Sequence, residues 1–258
     1  MFHSYNLLRI ITDSMDNSTK DNLYFDPMRY SRQTSLPDFG MEGQRRLTDA
    51  RVLVIGAGGL GSPAALYLAA AGVGHIYIAD GDNVEVSNLQ RQIIHTTARE
   101  NTPKALSART AMLELNPDIE VTALVEFITP ERLAELIRDI RPDFVIDATD
   151  SFDAKFFIND VCVAAGTPCS YGAIFRYEGQ LTTWIPGSPT LRDLFPSVPV
   201  PEKTTPIGPL GVVPGIIGTL QAAEAIKHIT GTGSLLTGTL LYFNILTMDF
   251  NRITYTSR

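Results

Sequence analysis

The chain has 258 residues, 44% of them hydrophobic, a formal net charge of −7 and only two cysteines. That length and apolar content suffice to bury a sizeable core, while the acidic balance argues against nucleic acid or an anionic membrane as the main partner, since both call for a basic face. Two cysteines are too few for a disulfide scaffold or a four-cysteine zinc site, and no apolar run reaches the roughly 20 residues that span a bilayer, so a cytoplasmic setting is expected.

Residues 1–27 hold a short apolar piece, Asn6 to Ile11, followed by a run rich in Asp, Asn, Ser and Thr, the composition of a flexible leader. Met28 directly precedes Arg29-Tyr-Ser-Arg32-Gln, which makes it a candidate natural start. A helix is expected over Gly40 to Leu47. The apolar run Arg51-Val-Leu-Val-Ile55 then reads as a strand, closes in Gly56-Ala-Gly58-Gly59-Leu-Gly61, and continues into a helix-favouring stretch from Pro63 to Ala71. Strand, glycine turn and helix in direct succession open a mononucleotide-binding βαβ unit. Gly56 permits the tight turn, Gly58 lets backbone approach a phosphate, and Gly61 lets helix and strand pack closely.

Gly72 and Gly74 break the chain, and His75 to Asp80 forms a second strand ending in an acid roughly 20 residues past the turn, where a carboxylate can bind ribose hydroxyls. The polar segment Asn88-Leu-Gln-Arg91-Gln follows. Thr102 is expected as N-cap of the next helix, with Pro103 at its first position and Lys104 in its first turn, where a cation opposes the helix dipole and suggests an external anion. The helix Lys104 to Leu115, a strand near Ile119 to Val125 and a helix from Thr129-Pro130 to Ile140 come next. A buried strand spans Pro142 to Asp150, with Asp147 and Asp150 at its C-terminal end, and a helix carries Phe156 to Ala165.

Beyond Cys169 the character changes. Ser170 to Ala173 and Gln180 to Ile185 read as strands, and Pro186 to Pro209 holds seven prolines and little periodicity. A helix from Val213 to His228 is ended by Gly231, and Gly238 to Ile245 with Thr247 to Tyr255 suggest a β-hairpin. The pattern predicts an α/β, Rossmann-like fold: a mainly parallel twisted sheet flanked by helices, with an antiparallel C-terminal portion. Ligands of such sheets gather at the C-terminal edge of the strands, where the glycine turn, Asp80, Asn88, Arg91, Lys104 and Asp150 would converge.

Each of these residues also has an ordinary reading. The glycine turn alone could serve NAD, FAD, S-adenosylmethionine or ATP. A triphosphate with magnesium needs cationic side chains and a carboxylate, which Arg91, Lys104 and Asp150 supply. Asp150 could instead cap the helix that follows, Asp147 reads as a buried, hydrogen-bonded acid, and Arg29 and Arg32 alone read as a solvated surface pair. Cys162 and Cys169 sit where small buried side chains are usual. His75, His95 and His228 show no ligand or triad spacing, and Trp184, Phe156 and Phe157 read as core.

Taken together, Arg29-Tyr-Ser-Arg32-Gln, Gly56 to Gly61, Asp80-Gly-Asp82, Ser87-Asn-Leu-Gln-Arg91-Gln, Thr102-Pro-Lys104, Asp147-Ala-Thr-Asp150, Glu178-Gly-Gln180 and Gly211 to Ala222 resemble the ThiF/MoeB/HesA family, bacterial relatives of ubiquitin-activating enzymes. The resemblance runs from Arg29 to the C-terminus. It implies a homodimer that uses Mg-ATP to adenylate the C-terminal Gly-Gly carboxylate of a ubiquitin-like sulfur carrier, in thiamine or molybdenum-cofactor synthesis, with a slight preference for thiamine. It implies one adenylation domain over residues 28–258, with a nucleotide-binding half near 48–168, a carrier-binding half near 169–258 and an irregular crossover at 186–209. The implied roles place Gly56, Gly58, Gly59 and Gly61 in the ATP-binding turn, Asp80 and Asp82 beside the nucleoside, and Asn88, Arg91 and Lys104 around the phosphates. Asp150 matches the magnesium ligand, and Arg32 the arginine that enters the partner subunit's site. Many relatives carry zinc-binding Cys-x-x-Cys pairs, but the aligned segment Thr190 to Phe195 has no cysteine, and neither has Pro201 to Pro206, where some relatives form a covalent link to the carrier. No zinc is therefore expected, and sulfur transfer falls to a separate donor. The alternatives are an NAD-dependent oxidoreductase built on the same turn and a non-catalytic relative.

Overall fold

The structure is a computed structural model that describes residues 25–197 and 208–258. Most of the expected leader and the middle of the proline-rich crossover lie outside the described residues. Eight strands form one sheet in the order β3-β2-β1-β4-β5-β6-β7-β8. They are β1 (Arg51–Ile55), β2 (His75–Ala79), β3 (Glu120–Leu124), β4 (Phe144–Asp147), β5 (Cys169–Phe175), β6 (Glu178–Trp184), β7 (Thr239–Asn244) and β8 (Asp249–Thr254). Pairing is parallel from β3 through β5 and antiparallel from β5 through β8, as the sequence predicts. The helices are α1 (Ser31–Thr34), α2 (Gly40–Asp49), α3 (Gly61–Ala71), α4 (Lys104–Leu115), α5 (Pro130–Ile140), α6 (Phe152–Ala165), α7 (Leu191–Leu194) and α8 (Val212–Thr230).

The parallel strands are buried on both faces, which is why they read as continuous apolar runs rather than alternating ones. Val52 and Val54 of β1, Ile76 and Ile78 of β2 and Phe144 and Ile146 of β4 join one core with Ala64 and Leu68 of α3, Met112 of α4 and Ile217 and Ala225 of α8. The intervening Leu53, Ile55 and Val145 face a second core with Leu133 and Leu136 of α5 and Ile158 and Cys162 of α6. A one-residue slip of either strand would exchange these faces.

Local chemistry sets the helix ends. Thr129 accepts the amide of Arg132, with Pro130 opening α5, and Gly72, Gly166 and Gly231 end α3, α6 and α8 in the left-handed conformation. One expected cap shifts by one residue, and the alternative reading of Asp150 as a cap is set aside. Pro103, not Thr102, is the N-cap residue of α4, because the Thr102 hydroxyl turns back to the Arg99 carbonyl. Ser151, not Asp150, caps α6, its hydroxyl accepting the Ala154 amide at 3.2 Å. The strand expected over Pro142 to Asp150 is regular only from Phe144 to Asp147.

The glycine turn admits little change. A Cβ on Gly61 would lie 1.9 Å from the Gly56 carbonyl oxygen, and Gly56 itself has φ +103° and would place a Cβ 2.6 Å from the Ala148 oxygen. Gly61→Ala is therefore expected to cost at least about 2–3 kcal/mol, since the obstacle is backbone that can yield only by moving α3 off β1. A denaturation midpoint equal to the parent's would contradict this packing.

Candidate active site

The strand order reverses between β1 and β4, and the cleft that this leaves at their C-terminal ends is a cavity of about 480 Å³. Gly56, Gly58, Gly59, Asp80, Asp82, Arg91, Lys104 and Asp150 all line it. Three site residues named from the sequence do not: Gly61 sits one position into α3, Asn88 stands behind Arg91, and Arg32 is exposed on α1.

The turn is held from several sides. The Gly56 amide donates to the Ala79 carbonyl at 2.7 Å. Asp80 Oδ2 accepts the Ala57 amide and Oδ1 the Asp82 amide, both at 2.8 Å, so each oxygen retains lone-pair capacity for a ribose hydroxyl. His95, which shows no ligand or triad spacing in the sequence, ties the turn to α4. Its Nε2 donates to the Ala57 carbonyl at 2.9 Å, which leaves Nδ1 to accept from the Ser107 hydroxyl at 2.9 Å. Burial holds the His95 pKa below its ordinary value, which favours the neutral ring this bridge needs.

The cations are presented by hydrogen-bonded partners. Arg91 Nη2 donates to Asn88 Oδ1 at 2.7 Å, and the Asn88 amide in turn reaches Glu85 at 3.3 Å. Lys104 is buried in the first turn of α4, with its ammonium 2.9 Å from Asp82 Oδ2. Part of the anion that its place against the helix dipole calls for is thus supplied by the chain itself, although Asp82 is largely exposed. Asp150 faces the cavity as an exposed carboxylate with no hydrogen bond to a described residue.

Asp147 is buried, as expected, but its partner was missed. The Lys155 ammonium, inside α6, lies 3.4 and 3.5 Å from the two Asp147 oxygens and donates to the carbonyls of Thr149 at 2.6 Å and Gly172 at 2.5 Å. It also lies 5.5 Å from the centre of the Tyr171 ring. Burial pushes the Asp147 carboxyl up, against the pull of Lys155 and of two hydrogen bonds from Thr149. Lys155 joins the loop that carries Asp150 to strand β5. The available signal was an acid at the end of a buried strand and a lysine inside the following helix.

A family model described as the ThiF family matches residues 30–258. The chain belongs to the ThiF family. A relative from Haloferax volcanii named SAMP-activating enzyme E1 is 44% identical over 231 residues, 88% of this chain and 84% of that protein. The Zea mays adenylyltransferase and sulfurtransferase MOCS3-1 is 49% identical over 222 residues, 84% of this chain and 47% of the maize protein. A probable molybdopterin-synthase adenylyltransferase of Porphyra purpurea is 43% identical over 229 residues, 87% of this chain and 59% of that protein. The chain thus spans about half to three fifths of the plant and algal relatives' length. The crystal structure of Escherichia coli MccB with ATP shares the fold at TM-score 0.78 and 19% identity, covering 98% of this chain and 79% of that one.

In this ThiF-family chain, Phe156 and Trp184 are core, as expected, whereas Phe157 also lines the cavity. Arg29 pairs with Asp118 at 3.2 Å rather than with solvent alone. The segment Thr190 to Phe195 forms the helical turn α7, closed by a capping box between Thr190 and Asp193; Pro201 to Pro206 lies outside the described residues. Among the described residues, no helix is long and apolar enough to cross a membrane.

Proposed function

We propose that this protein adenylates the C-terminal Gly-Gly carboxylate of a ubiquitin-like sulfur carrier with ATP, releasing pyrophosphate. The observation that carries this reading is the gathering of a glycine turn, two cations and a free carboxylate in one cavity at the β1/β4 reversal. The relatives named for SAMP activation and for molybdopterin-synthase adenylylation agree with it and do not favour an oxidoreductase. The second of them leans the pathway towards molybdenum cofactor. Gln92 adds an independent sign of a polar ligand. It is buried against the cavity beside Gly58, and its Oε1 has no hydrogen-bond partner among the described residues. A ligand hydroxyl donating to that oxygen would satisfy it, as would a phosphate oxygen were the amide turned so that its NH₂ took that position.

The carrier carboxylate is already the nucleophile and needs no general base. Its oxygen bonds to the α-phosphorus as the bond from that phosphorus to the β-bridging oxygen breaks, and the electron pair leaves with pyrophosphate. Asp80 orients the ribose, backbone amides of the turn and the start of α3 face the phosphates, and Arg91 and Lys104 neutralise charge as the leaving group forms. Asp150 is the residue suited to hold magnesium, because a single exposed carboxylate beside phosphate oxygens is the ligand set this ion usually takes; the ion would further offset phosphate charge. Arg32 is exposed outside the cavity, a position consistent with a role across a homodimer interface, where it would enter the partner's site. Sulfur comes from a separate donor: Cys162 and Cys169 are buried, and the neighbouring Cys169 together with burial raises the Cys162 thiol well above its ordinary value, so little thiolate forms. A cytoplasmic setting and a single domain over residues 28–258 complete the reading.

The test is ATP–pyrophosphate exchange with each small Gly-Gly-ending protein encoded in the source genome, with and without magnesium, followed by intact-mass detection of the adenylated carrier. Exchange that depends on one carrier and on magnesium is expected. Exchange with none of them, or binding of NAD in preference to Mg-ATP, would remove the reading.

A further inference from the structure

The cavity is lined differently on the two sides of β4. The glycine turn after β1 and Asp80 after β2 stand on one side with Arg91 and Lys104, while Phe152 and Phe157 of α6, Ile174, Phe175 and Arg176 of the β5–β6 hairpin, and Pro209 line it where the sheet continues to β5. Arg176 and Tyr177 form the two-residue turn between β5 and β6, with Phe175 paired to Glu178. Arg176 has φ 55°, a conformation that tight hairpin turns usually assign to glycine or asparagine. A long cationic side chain at such a position points to a use for that side chain.

The environment of Arg176 sets it apart from the other cations of the cavity. Arg91 is held by Asn88, Lys104 by Asp82 and Lys155 by Asp147. The Arg176 guanidinium instead lies 5.0 Å from the centre of the exposed Phe175 ring and makes no hydrogen bond or ion pair with any described residue. Its carbonyl accepts the Leu210 amide at 3.2 Å, which pins the turn to the segment that leads into α8. An exposed cation stacked on an aromatic, at the rim of an otherwise apolar passage, is preorganised to meet an anion passing over that ring.

We propose that Arg176 is a specificity-determining residue that reads an acidic side chain on the carrier's tail, upstream of the Gly-Gly, as the tail passes over Phe175. This rests on the adenylation reading. The terminal carboxylate must reach the phosphates on the other side of β4, and an extended chain advances about 3.3 Å per residue, so the residue at the rim is one about three to six positions from the end. A protein of net charge −7 repels an acidic tail at long range, and a local cation at the entrance offsets that repulsion where it matters.

The experiment uses the carrier that supports pyrophosphate exchange. Glutamate and lysine are installed in turn at each of the positions about three to six from its C-terminus. At one position lysine is expected to raise the carrier KM about five- to tenfold over glutamate, with kcat and the KM for ATP unchanged. Arg176→Glu reverses that order at the same position. Arg176→Gly abolishes the difference without lowering Tm, because glycine accepts this backbone conformation. Equal KM values for glutamate and lysine at every position, or a preference that survives Arg176→Gly, would overturn the assignment. Absence of exchange with every carrier is a different result, which removes the adenylation reading and this one with it.

Discussion

Lys155→Met is expected to destabilise the fold by ~3 kcal/mol and to abolish most adenylation. The substitution keeps an unbranched apolar side chain one atom shorter but leaves the Asp147 carboxyl buried without its cation, and it strips the carbonyls of Thr149 and Gly172 of a donor. The loop holding Asp150 then loses its tie to β5, so activity should fall further than stability alone explains. Urea denaturation at several pH values separates this account from a loss of packing. In the variant, the Asp147 carboxyl sits higher still above its ordinary value, because burial is no longer opposed by the ammonium. A group raised in the folded state contributes stability that is present below its unfolded pKa, about 4, and is lost as pH rises through its folded value. The variant should therefore lose stability more steeply than the parent as pH rises above about 4. Parallel pH profiles would show that Lys155 is not the counter-ion of Asp147.

Lys104→Ala presents the opposite case. It should reduce the rate of adenylate formation by about a thousandfold or more while leaving the fold intact. Lys104 is as buried as Lys155, but its partner Asp82 is largely exposed, so removing the ammonium strands no charge in the interior. The cost falls on the transition state, where pyrophosphate charge develops. Single-turnover formation of adenylated carrier, with unchanged Tm, is the expected signature. A near-parental rate would place the phosphates away from α4.

How much of this was legible in the sequence depended on how far apart the cooperating residues lie. The glycine turn, Asp80 and the strand–helix alternation could be read because their constraints act within a few residues or along one repeating period. Neighbouring cap candidates were harder to separate. Thr102 and Pro103, or Asp150 and Ser151, stand side by side at the same helix end, and the outcome depends on which one the Arg99 carbonyl or the cavity already claims. Lys155 was legible only as a lysine eight residues past a buried acid, and His95 not at all, because the rest of what holds them is remote. Their partners, Gly172 on β5 and Ala57 in the turn, lie 17 and 38 residues away in the chain and become neighbours only when the sheet is assembled. Arg176 reads as an ordinary turn residue until its backbone conformation and its place at the cavity rim are known.

The support of the glycine turn arrives late in synthesis. Pro214 of α8 closes against Gly59, where an added Cβ would be 3.0 Å away, and Val213, Ile217, Ala222 and Ala225 of the same helix complete the core beneath β1 and β4. A ribosome that has produced every residue proposed to face the phosphates, through Asp150, has therefore not yet produced the helix that fixes them. The proposed nucleotide site, encoded early, is shaped only once α8 has been made. Contacts of this sequence separation are slow to form, and until they do, the apolar face of α3 stays uncovered in the nascent protein.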